Sequence, residues 1–263
     1  MPLIYEPKGK AREYSPLALN VYTRGCEHRC GYCYCRGIGA WGDAGKPRNL
    51  IGLKREAETC REQILLSFMS DPYAPIERQH RNTRAALHVL SDAACSVAVL
   101  TKGGTRCLDD LDLFCDWPDG RIKVGATLTL ANALDSRSDE PGAALPEDRV
   151  VALRELHRAG VQTWVSIEPV IDPEQSLEMI RRSLEAVDAY KVGKLNHRRS
   201  NTDWREFGIR AVEMIREAGK SLYVKHDLRA QLPAGFCTPG ESDMNTLTLP
   251  ARPAQRQFEG SLF

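Results

Sequence analysis

The stretch Thr23-Arg-Gly-Cys26-Glu-His-Arg-Cys30-Gly-Tyr-Cys33-Tyr-Cys35 contains three cysteines at the spacing C-x3-C-x2-C. Three thiolates this close together cannot form an orderly set of disulfides with each other, but they can all bind one small inorganic group. A [4Fe–4S] cluster is held by cysteine thiolates, and three such ligands leave one iron open. An open iron can bind the amino and carboxylate groups of S-adenosylmethionine (SAM). The spacing therefore predicts Cys26, Cys30 and Cys33 as cluster ligands of a radical enzyme.

Zinc is the alternative metal for clustered cysteines, with Cys35 or His28 as a further ligand. Structural zinc sites usually pair two short ligand motifs that are separated by a dozen or more residues. The chain has no second motif, because its remaining cysteines stand apart, at Cys60, Cys95, Cys107, Cys115 and Cys237. The spacing favours iron–sulfur over zinc, and a zinc-stabilised, non-catalytic binding module is the alternative function.

Length and composition predict one large soluble α/β domain. The chain has 263 residues, is 42% hydrophobic and carries a formal net charge of +1. It is long enough to bury a full core, and its overall charge does not indicate nucleic-acid or membrane binding. No apolar run approaches the roughly 20 residues of a membrane helix. Nine cysteines, an odd number, with no signal peptide, suit the reducing cytoplasm.

Short β-rich runs alternate with helical patterns along the chain, which is typical of parallel β/α units. Strands are predicted at 17–22, 63–69, 96–101, 121–129, 161–167, 187–192 and 221–225. Helices are predicted at about 53–61, 76–90, 105–115, 147–159, 173–186 and 203–218. The pattern predicts a partial (β/α)6 TIM-type barrel over residues 16–225. An N-terminal extension at 1–15 precedes it, and a short C-terminal extension at 226–263 follows, loosely ordered from about Thr238.

Polar residues stand where the predicted strands end, and in such barrels the chemistry collects at these ends. These residues are Ser70, Asp71, Lys102, Thr127 and Glu168. Hydroxyl and carboxylate groups suit the ammonium or the ribose of SAM, and a lysine suits its carboxylate. The alternatives are ordinary structural roles, with Asp71 as a helix cap and a salt bridge between Glu168 and Lys194.

The cysteine motif resembles that of the radical SAM superfamily, with Tyr32 in the aromatic position before the third cysteine. Three further runs make residues 12–196 similar to the spore photoproduct lyase-related branch: Ser70-Asp71-Pro72-Tyr73, Pro75-Ile76-Glu77 and Thr101-Lys102. The resemblance implies a radical SAM barrel in which the three cysteines bind the cluster. It also implies SAM contacts from Tyr32, Ser70, Lys102 and Thr127.

The resemblance further implies that SAM is cleaved to methionine and a 5′-deoxyadenosyl radical, which abstracts hydrogen from a substrate in lyase-like or other radical chemistry. A low-potential electron donor such as flavodoxin or ferredoxin and a DNA- or nucleotide-related substrate are implied by analogy.

The chain departs from the lyase pattern at one position. The lyase carries a hydrogen-donating cysteine two residues before the serine that matches Ser70, and this chain has Phe68 there. A phenyl ring has no labile hydrogen, so we expect a substrate other than spore photoproduct.

Overall fold

The structure is a computed structural model that describes residues 2–23, 25–38, 45–196 and 198–252. In these residues the strands form one eight-stranded sheet whose spatial order follows the chain order. The strands are β1 (Ile4–Tyr5), β2 (Leu17–Leu19), β3 (Ile64–Leu66), β4 (Val97–Thr101), β5 (Ile122–Thr127), β6 (Gln162–Ile167), β7 (Ala189–Val192) and β8 (Ser221–Val224). Neighbours from β2 to β8 are parallel, and β1 is antiparallel to β2. A sequential parallel sheet of this kind is the predicted partial barrel.

Helices cover the sheet and connect its strands. They are α1 (Leu53–Thr59), α2 (Glu77–His80), α3 (Asn82–Asp92), α4 (Leu111–Cys115), α5 (Ala133–Asp139), α6 (Pro146–Arg158), α7 (Pro173–Ser183), α8 (Trp204–Glu217), α9 (His226–Arg229) and α10 (Pro239–Ser242). No helix of the described residues is long and apolar enough to cross a membrane.

All seven predicted strands are present, within a few residues of their predicted bounds. The helix predicted at 76–90 is instead two helices, because Arg81 adopts a left-handed conformation with a φ of 49° between α2 and α3. The short strand β1 and helices α5, α9 and α10 were not predicted. Each is shorter than the window over which apolar periodicity becomes visible.

Apolar residues are buried on both faces of the sheet, as expected for parallel strands covered by helices. All six residues of β5 are buried. Two clusters lie between strands and outer helices, one under α1 and α3 and the other under α6, α7 and α8. A third cluster contains Leu65, Ala98, Trp164, Ala189, Tyr223 and Leu247. Side chains in a strand alternate between the faces, so this third cluster is the inside of the barrel.

The start of α7 shows how local sequence fixes an element that carries the core. Asp172 is the N-cap and accepts a hydrogen bond from the Gln175 backbone amide at 3.0 Å, and Pro173 occupies the first helical position. Leu177 and Ile180 are then buried on one face. An aspartate cap followed by a proline at the first helical position is a favoured way to begin a helix. The Gln175 side chain points away from the cap: its oxygen accepts from the backbone amides of Ala131 and Asn132 and so anchors the loop after β5.

Both chain ends pack against the barrel. A 3-10 helix at Gly9–Glu13 precedes β2, and the Glu13 carboxylate accepts hydrogen bonds from the Tyr223 hydroxyl and the His226 amide. The expectation that the tail is loosely ordered from Thr238 is wrong as far as residue 252. Thr238 forms a capping box that begins α10, and the Leu249 amide donates to the Gln63 side chain. Residues 253–263 lie outside the described residues.

Candidate functional site

The three cysteines of the motif lie in a loop of tight turns after β2. The Arg29 amide donates to the Cys26 carbonyl at 3.2 Å, and the Cys33 amide donates to the Cys30 carbonyl at 3.1 Å. Burial raises the pKa of Cys26 to about 12 and that of Cys30 to about 11. The charge of Cys30 also raises the pKa of Cys26, and the charge of Cys33 also raises the pKa of Cys30. The three thiols therefore lie close enough to act on one another electrostatically.

Cys33 is the thiol of the loop that is easiest to ionise. The Cys35 thiol donates a hydrogen bond to the Cys33 sulfur and lowers the pKa of Cys33 to about 6 against the opposing effect of burial. Lys102 and Arg36 contribute in the same direction. The same contact raises the pKa of Cys35, which is 2% exposed. Since the thiolate is the form that binds metals, the hydrogen bond from Cys35 favours the ligating form of Cys33.

All nine cysteines are among the described residues, and none forms a disulfide. No group of three or more His, Cys, Asp and Glu side chains is arranged to hold a metal ion in the described residues. Both ring nitrogens of His28 have protein partners, Asp71 and Arg106. The assignment of Cys26, Cys30 and Cys33 to a cluster stays a prediction.

Ser70 and Lys102 stand at the C-terminal ends of β3 and β4, the side of the barrel that we call the mouth. Ser70 is 9% exposed, and its hydroxyl oxygen has no hydrogen-bond partner among the described residues. The Lys102 ammonium lies 5.4 Å from the centre of the Tyr32 ring. Burial lowers the pKa of Lys102, but the charges of Cys30 and Glu140 outweigh it and raise this pKa above its usual value. The site therefore holds a cation beside the cysteine loop and a buried hydroxyl with spare hydrogen-bonding capacity.

The Asp71 carboxylate connects the ends of β3 and β4. It accepts hydrogen bonds from the backbone amides of Tyr73 at 2.8 Å and Lys102 at 2.7 Å, and from the Thr101 hydroxyl at 2.5 Å. Burial opposes ionisation of this carboxyl, but His28, Thr101 and the Lys102 amide hold its pKa below the usual range. These contacts are those of a residue that organises the loops. A direct contact between Asp71 and SAM stays a prediction.

Tyr32 is fixed by two residues that the sequence did not point to, Glu140 and Arg149. The Tyr32 hydroxyl donates to the Glu140 carboxylate, which also accepts from the Arg149 guanidinium. Both partners are 1% exposed. Arg149 donates as well to the carbonyl of Thr127, at 3.0 Å, and so holds the end of β5. Neither residue carried a sequence signal, because Glu140 ends a short helix and Arg149 looks like an ordinary polar position of α6.

Glu168 belongs to a second polar group, on the β6–β8 side of the mouth. Its carboxylate accepts from the Tyr14 hydroxyl at 2.7 Å, from the Asn196 side chain at 2.7 Å and from the Lys225 ammonium. The suggested salt bridge between Glu168 and Lys194 is wrong, because Glu168 pairs with Lys225. The Lys194 ammonium instead lies 5.7 Å from the centre of the Trp204 ring. None of these three partners of Glu168 belongs to the cysteine loop, and a contact between Glu168 and SAM stays a prediction.

Phe68 contacts both Tyr14, a partner of Glu168, and Tyr34 of the cysteine loop. Its ring meets the Tyr14 ring edge to face, with centroids 6.1 Å apart, and its carbonyl accepts from the Tyr34 hydroxyl. The amides of Phe68 and Met69 both donate to the Asn20 side chain. The backbone of this segment is thus fixed by hydrogen bonds, and the Phe68 ring packs against Tyr14.

A scan against models of known protein families found no match. An uncharacterised protein of Methanocaldococcus jannaschii is 30% identical over 168 residues, which cover 62% of this chain and 63% of that protein. An uncharacterised protein of Mycobacterium tuberculosis is 24% identical over 188 residues, which cover 64% of this chain and 55% of that protein. The chain thus spans less than two thirds of the length of these relatives.

Solved structures resemble this fold more broadly. SuiB of Streptococcus suis, bound to S-adenosylmethionine, matches with a TM-score of 0.61 at 11% identity over 79% of this chain and 50% of SuiB. Spore photoproduct lyase complexed with dinucleoside spore photoproduct matches with a TM-score of 0.61 at 14% identity over 81% of this chain and 77% of the lyase. Both are radical SAM enzymes. The chain has the radical SAM fold. At the level of the fold, this confirms the predicted barrel and the resemblance to the lyase-related branch.

Proposed function

We propose that this protein is a radical SAM enzyme in which Cys26, Cys30 and Cys33 hold a [4Fe–4S] cluster and the neighbouring strand ends hold SAM. The observation that carries the proposal is the pairing of a buried, unpartnered Ser70 hydroxyl with a charged Lys102 beside the cysteine loop. A buried hydroxyl without a partner costs free energy, which a ligand oxygen or nitrogen would recover. The residues present fit the cofactor pair, because three thiols, one of them readily ionised, suit the cluster and a cation suits the SAM carboxylate.

When bound, the cluster supplies the electron that cleaves SAM to methionine and a 5′-deoxyadenosyl radical, which takes a hydrogen atom from the substrate. The residues of the protein bind SAM and orient it. Lys102 neutralises the methionine carboxylate, and Ser70 and Thr127 offer hydroxyls to the polar groups of SAM. Tyr32, which Glu140 fixes in place, would contact the adenosyl group of bound SAM. The proposal also includes SAM contacts from Asp71 and Glu168, a cytoplasmic location and a donor such as flavodoxin or ferredoxin.

The substrate is not spore photoproduct in this proposal. Return of a hydrogen atom to the product radical needs a weak bond to hydrogen, and the Phe68 ring has none. The lyase structure contains a dinucleoside lesion, and SuiB has also been solved with its precursor peptide. We place a DNA- or nucleotide-related molecule first among the substrate classes to test, since the sequence resembles the lyase branch. Transfer of deuterium from a labelled substrate into 5′-deoxyadenosine would identify it.

The cofactor proposal is tested by anaerobic reconstitution with iron and sulfide. We expect a brown protein with broad absorbance near about 400 nm and about four irons per chain. With dithionite and SAM it should slowly release 5′-deoxyadenosine. Cys30→Ala should lose both properties, and Cys60→Ala, a cysteine outside the loop, should keep them. A colourless protein with one zinc per chain, or equal behaviour of the two variants, would overturn the proposal.

A further inference from the structure

His28 lies inside the cysteine loop, between Cys26 and Cys30, and is 2% exposed. Its Nε2 atom is 2.9 Å from Nη2 of Arg106. A guanidinium can only donate hydrogen bonds, so Nε2 must accept and its lone pair is occupied. The ring proton is therefore on Nδ1, which lies 3.4 Å from Oδ2 of Asp71. The two neighbours fix both the tautomer and the orientation of the ring.

The partners of His28 belong to the strand ends that carry Ser70 and Lys102. Asp71 directly follows Ser70, and its carboxylate holds the backbone amide of Lys102 at 2.7 Å. Arg106 donates in turn to the Tyr73 carbonyl at 2.8 Å. His28 thus joins the middle of the cysteine loop to the segment from Ser70 to Tyr73 and, through Asp71, to the end of β4.

The backbone of the loop is held on its other side by the segment after α5. The Gly142 amide donates to the His28 carbonyl at 3.1 Å, and the Gly31 amide donates to the Asp139 carbonyl at 2.6 Å. A Cβ atom at Gly142 would lie 2.0 Å from the Glu27 carbonyl oxygen, so the two segments touch backbone to backbone. These backbone contacts fix the position of the cysteine loop. The contacts of the His28 side chain fix the orientation of the loop relative to the strand ends.

We propose that His28 is a positioning residue that sets the cysteine loop against Ser70 and Lys102, and so sets the cluster against bound SAM. This rests on the proposed function. His28 does not touch either cofactor in this role, since both of its nitrogens are used by the protein. It acts through Asp71, whose carboxylate holds the Lys102 backbone and whose neighbour is Ser70. The same use of both nitrogens excludes His28 as a zinc ligand in this arrangement.

The experiment compares His28→Leu with His28→Asn in the reconstituted full-length protein. Leucine fills a similar volume and makes no hydrogen bond, whereas the asparagine amide places an N–H group near the position of Nδ1. We expect both variants to hold about as much iron as the unmodified protein, because all three cysteines remain. The affinity for SAM per cluster should fall at least about 10-fold in His28→Leu and recover substantially in His28→Asn. The SAM-induced change in the EPR spectrum of the reduced cluster measures this affinity. His88→Leu, at an exposed histidine of α3, is the matched control.

Each outcome decides the matter. If His28→Leu loses iron but its remaining clusters bind SAM with unchanged affinity, the role of His28 is purely structural and the inference is overturned. The inference is also overturned if His28→Leu keeps both its iron and its affinity for SAM. If the unmodified protein takes up no cluster, the proposed function fails and this inference fails with it. If His28→Leu does not fold, Arg106→Met provides the same comparison. It leaves the histidine in place but removes the donor that fixes its tautomer, and it should weaken SAM binding several-fold.

Discussion

The Tyr32 hydroxyl donates a hydrogen bond to the Glu140 carboxylate, and the two residues are 108 positions apart in the sequence. Glu140 also accepts from the guanidinium of Arg149, and both of these charges are almost completely buried. The favourable charge of Arg149 and the hydrogen bonds hold the pKa of Glu140 below its usual range although burial opposes ionisation. The orientation of a residue in the cysteine motif thus depends on one buried ion pair.

Removal of Glu140 should be strongly destabilising. Glu140→Ala leaves the buried Arg149 without its counter-charge, which typically costs about 3–5 kcal/mol. Equilibrium urea unfolding measures the change. The double variant Glu140→Gln/Arg149→Met should lose less than Glu140→Ala, since no unpaired charge remains. Glu147→Ala removes a carboxylate that is 62% exposed and paired with Arg154, and should change the free energy of unfolding by at most about 0.5 kcal/mol. A loss below about 1 kcal/mol for Glu140→Ala would contradict the ion pair.

Ser70 and Lys102 should affect SAM binding far more than stability. The Ser70 hydroxyl has no partner, so Ser70→Ala should change the free energy of unfolding by less than about 0.5 kcal/mol or increase it. The same change should weaken SAM binding about 3- to 10-fold, and Lys102→Met should weaken it at least about 10-fold. Titration of the reconstituted protein with SAM, alongside urea unfolding, separates the two effects. A clear loss of stability in Ser70→Ala with intact SAM affinity would assign the hydroxyl to the fold.

The parallel sheet and the cysteine loop were predictable because their signals are local. Apolar runs of strand length predicted β2 to β8, and the cysteine spacing lies within eight residues of the chain. The buried pair of Glu140 and Arg149 was not predictable in this way, since it depends on how α6 packs behind the loop after β5. A charged residue on a helix normally reads as solvent-exposed, and only the three-dimensional packing reveals the exception.

The choice between Lys194 and Lys225 as the partner of Glu168 illustrates the same limit. Lys194 lies two residues after β7 and looked the nearer candidate in sequence, but its side chain lies against the Trp204 ring. Lys225 follows β8, which is parallel and adjacent to β7, and parallel strands bring their C-terminal ends together. Sequence places a lysine at the end of each strand, but it does not tell which way each side chain turns.

The ion pair of Lys225 and Glu168 should dominate the stability of the β6–β8 side of the mouth. Lys225 is 3% exposed and also lies 3.7 Å from a carboxylate oxygen of Glu13. Lys225→Met therefore leaves two carboxylates poorly compensated, and we expect a loss of about 3–5 kcal/mol in the free energy of unfolding. Glu168→Gln in the same chain should recover at least about 1 kcal/mol of this loss in a double-mutant cycle. Lys194→Met should cost less than about 1 kcal/mol. Equal losses for the two lysine variants would contradict the observed pairing.

Lys123 should make the stability of the protein depend on pH above neutrality. It lies on β5 and is 2% exposed, and its ammonium donates to the carbonyl of Leu247 in the C-terminal segment. Burial lowers the pKa of Lys123 to about 7, far below the usual value of a lysine. Between these two pKa values the unfolded chain binds a proton that the folded chain does not. The free energy of unfolding must then rise with pH, by at most about 1.4 kcal/mol per pH unit for this one group.

Lys123→Met should remove that dependence. Methionine has a similar length and no charge, so the variant should be more stable than the unmodified protein at pH 6, where the buried ammonium is protonated. Its advantage should shrink steadily from pH 7 to pH 9, as the lysine in the folded protein loses its proton. Urea unfolding at pH 6, 7, 8 and 9 measures the difference between the two proteins, from which thiol titrations common to both cancel. For Lys54→Met, at an exposed lysine of α1, the free energy of unfolding should have the same pH dependence as that of the unmodified protein. If the free energy of unfolding of Lys123→Met has the same pH dependence as that of the unmodified protein, the Lys123 amine does not change its protonation on folding. It must then carry its charge inside the barrel, held by the Leu247 carbonyl and by the Trp164 ring, whose centre is 5.3 Å away.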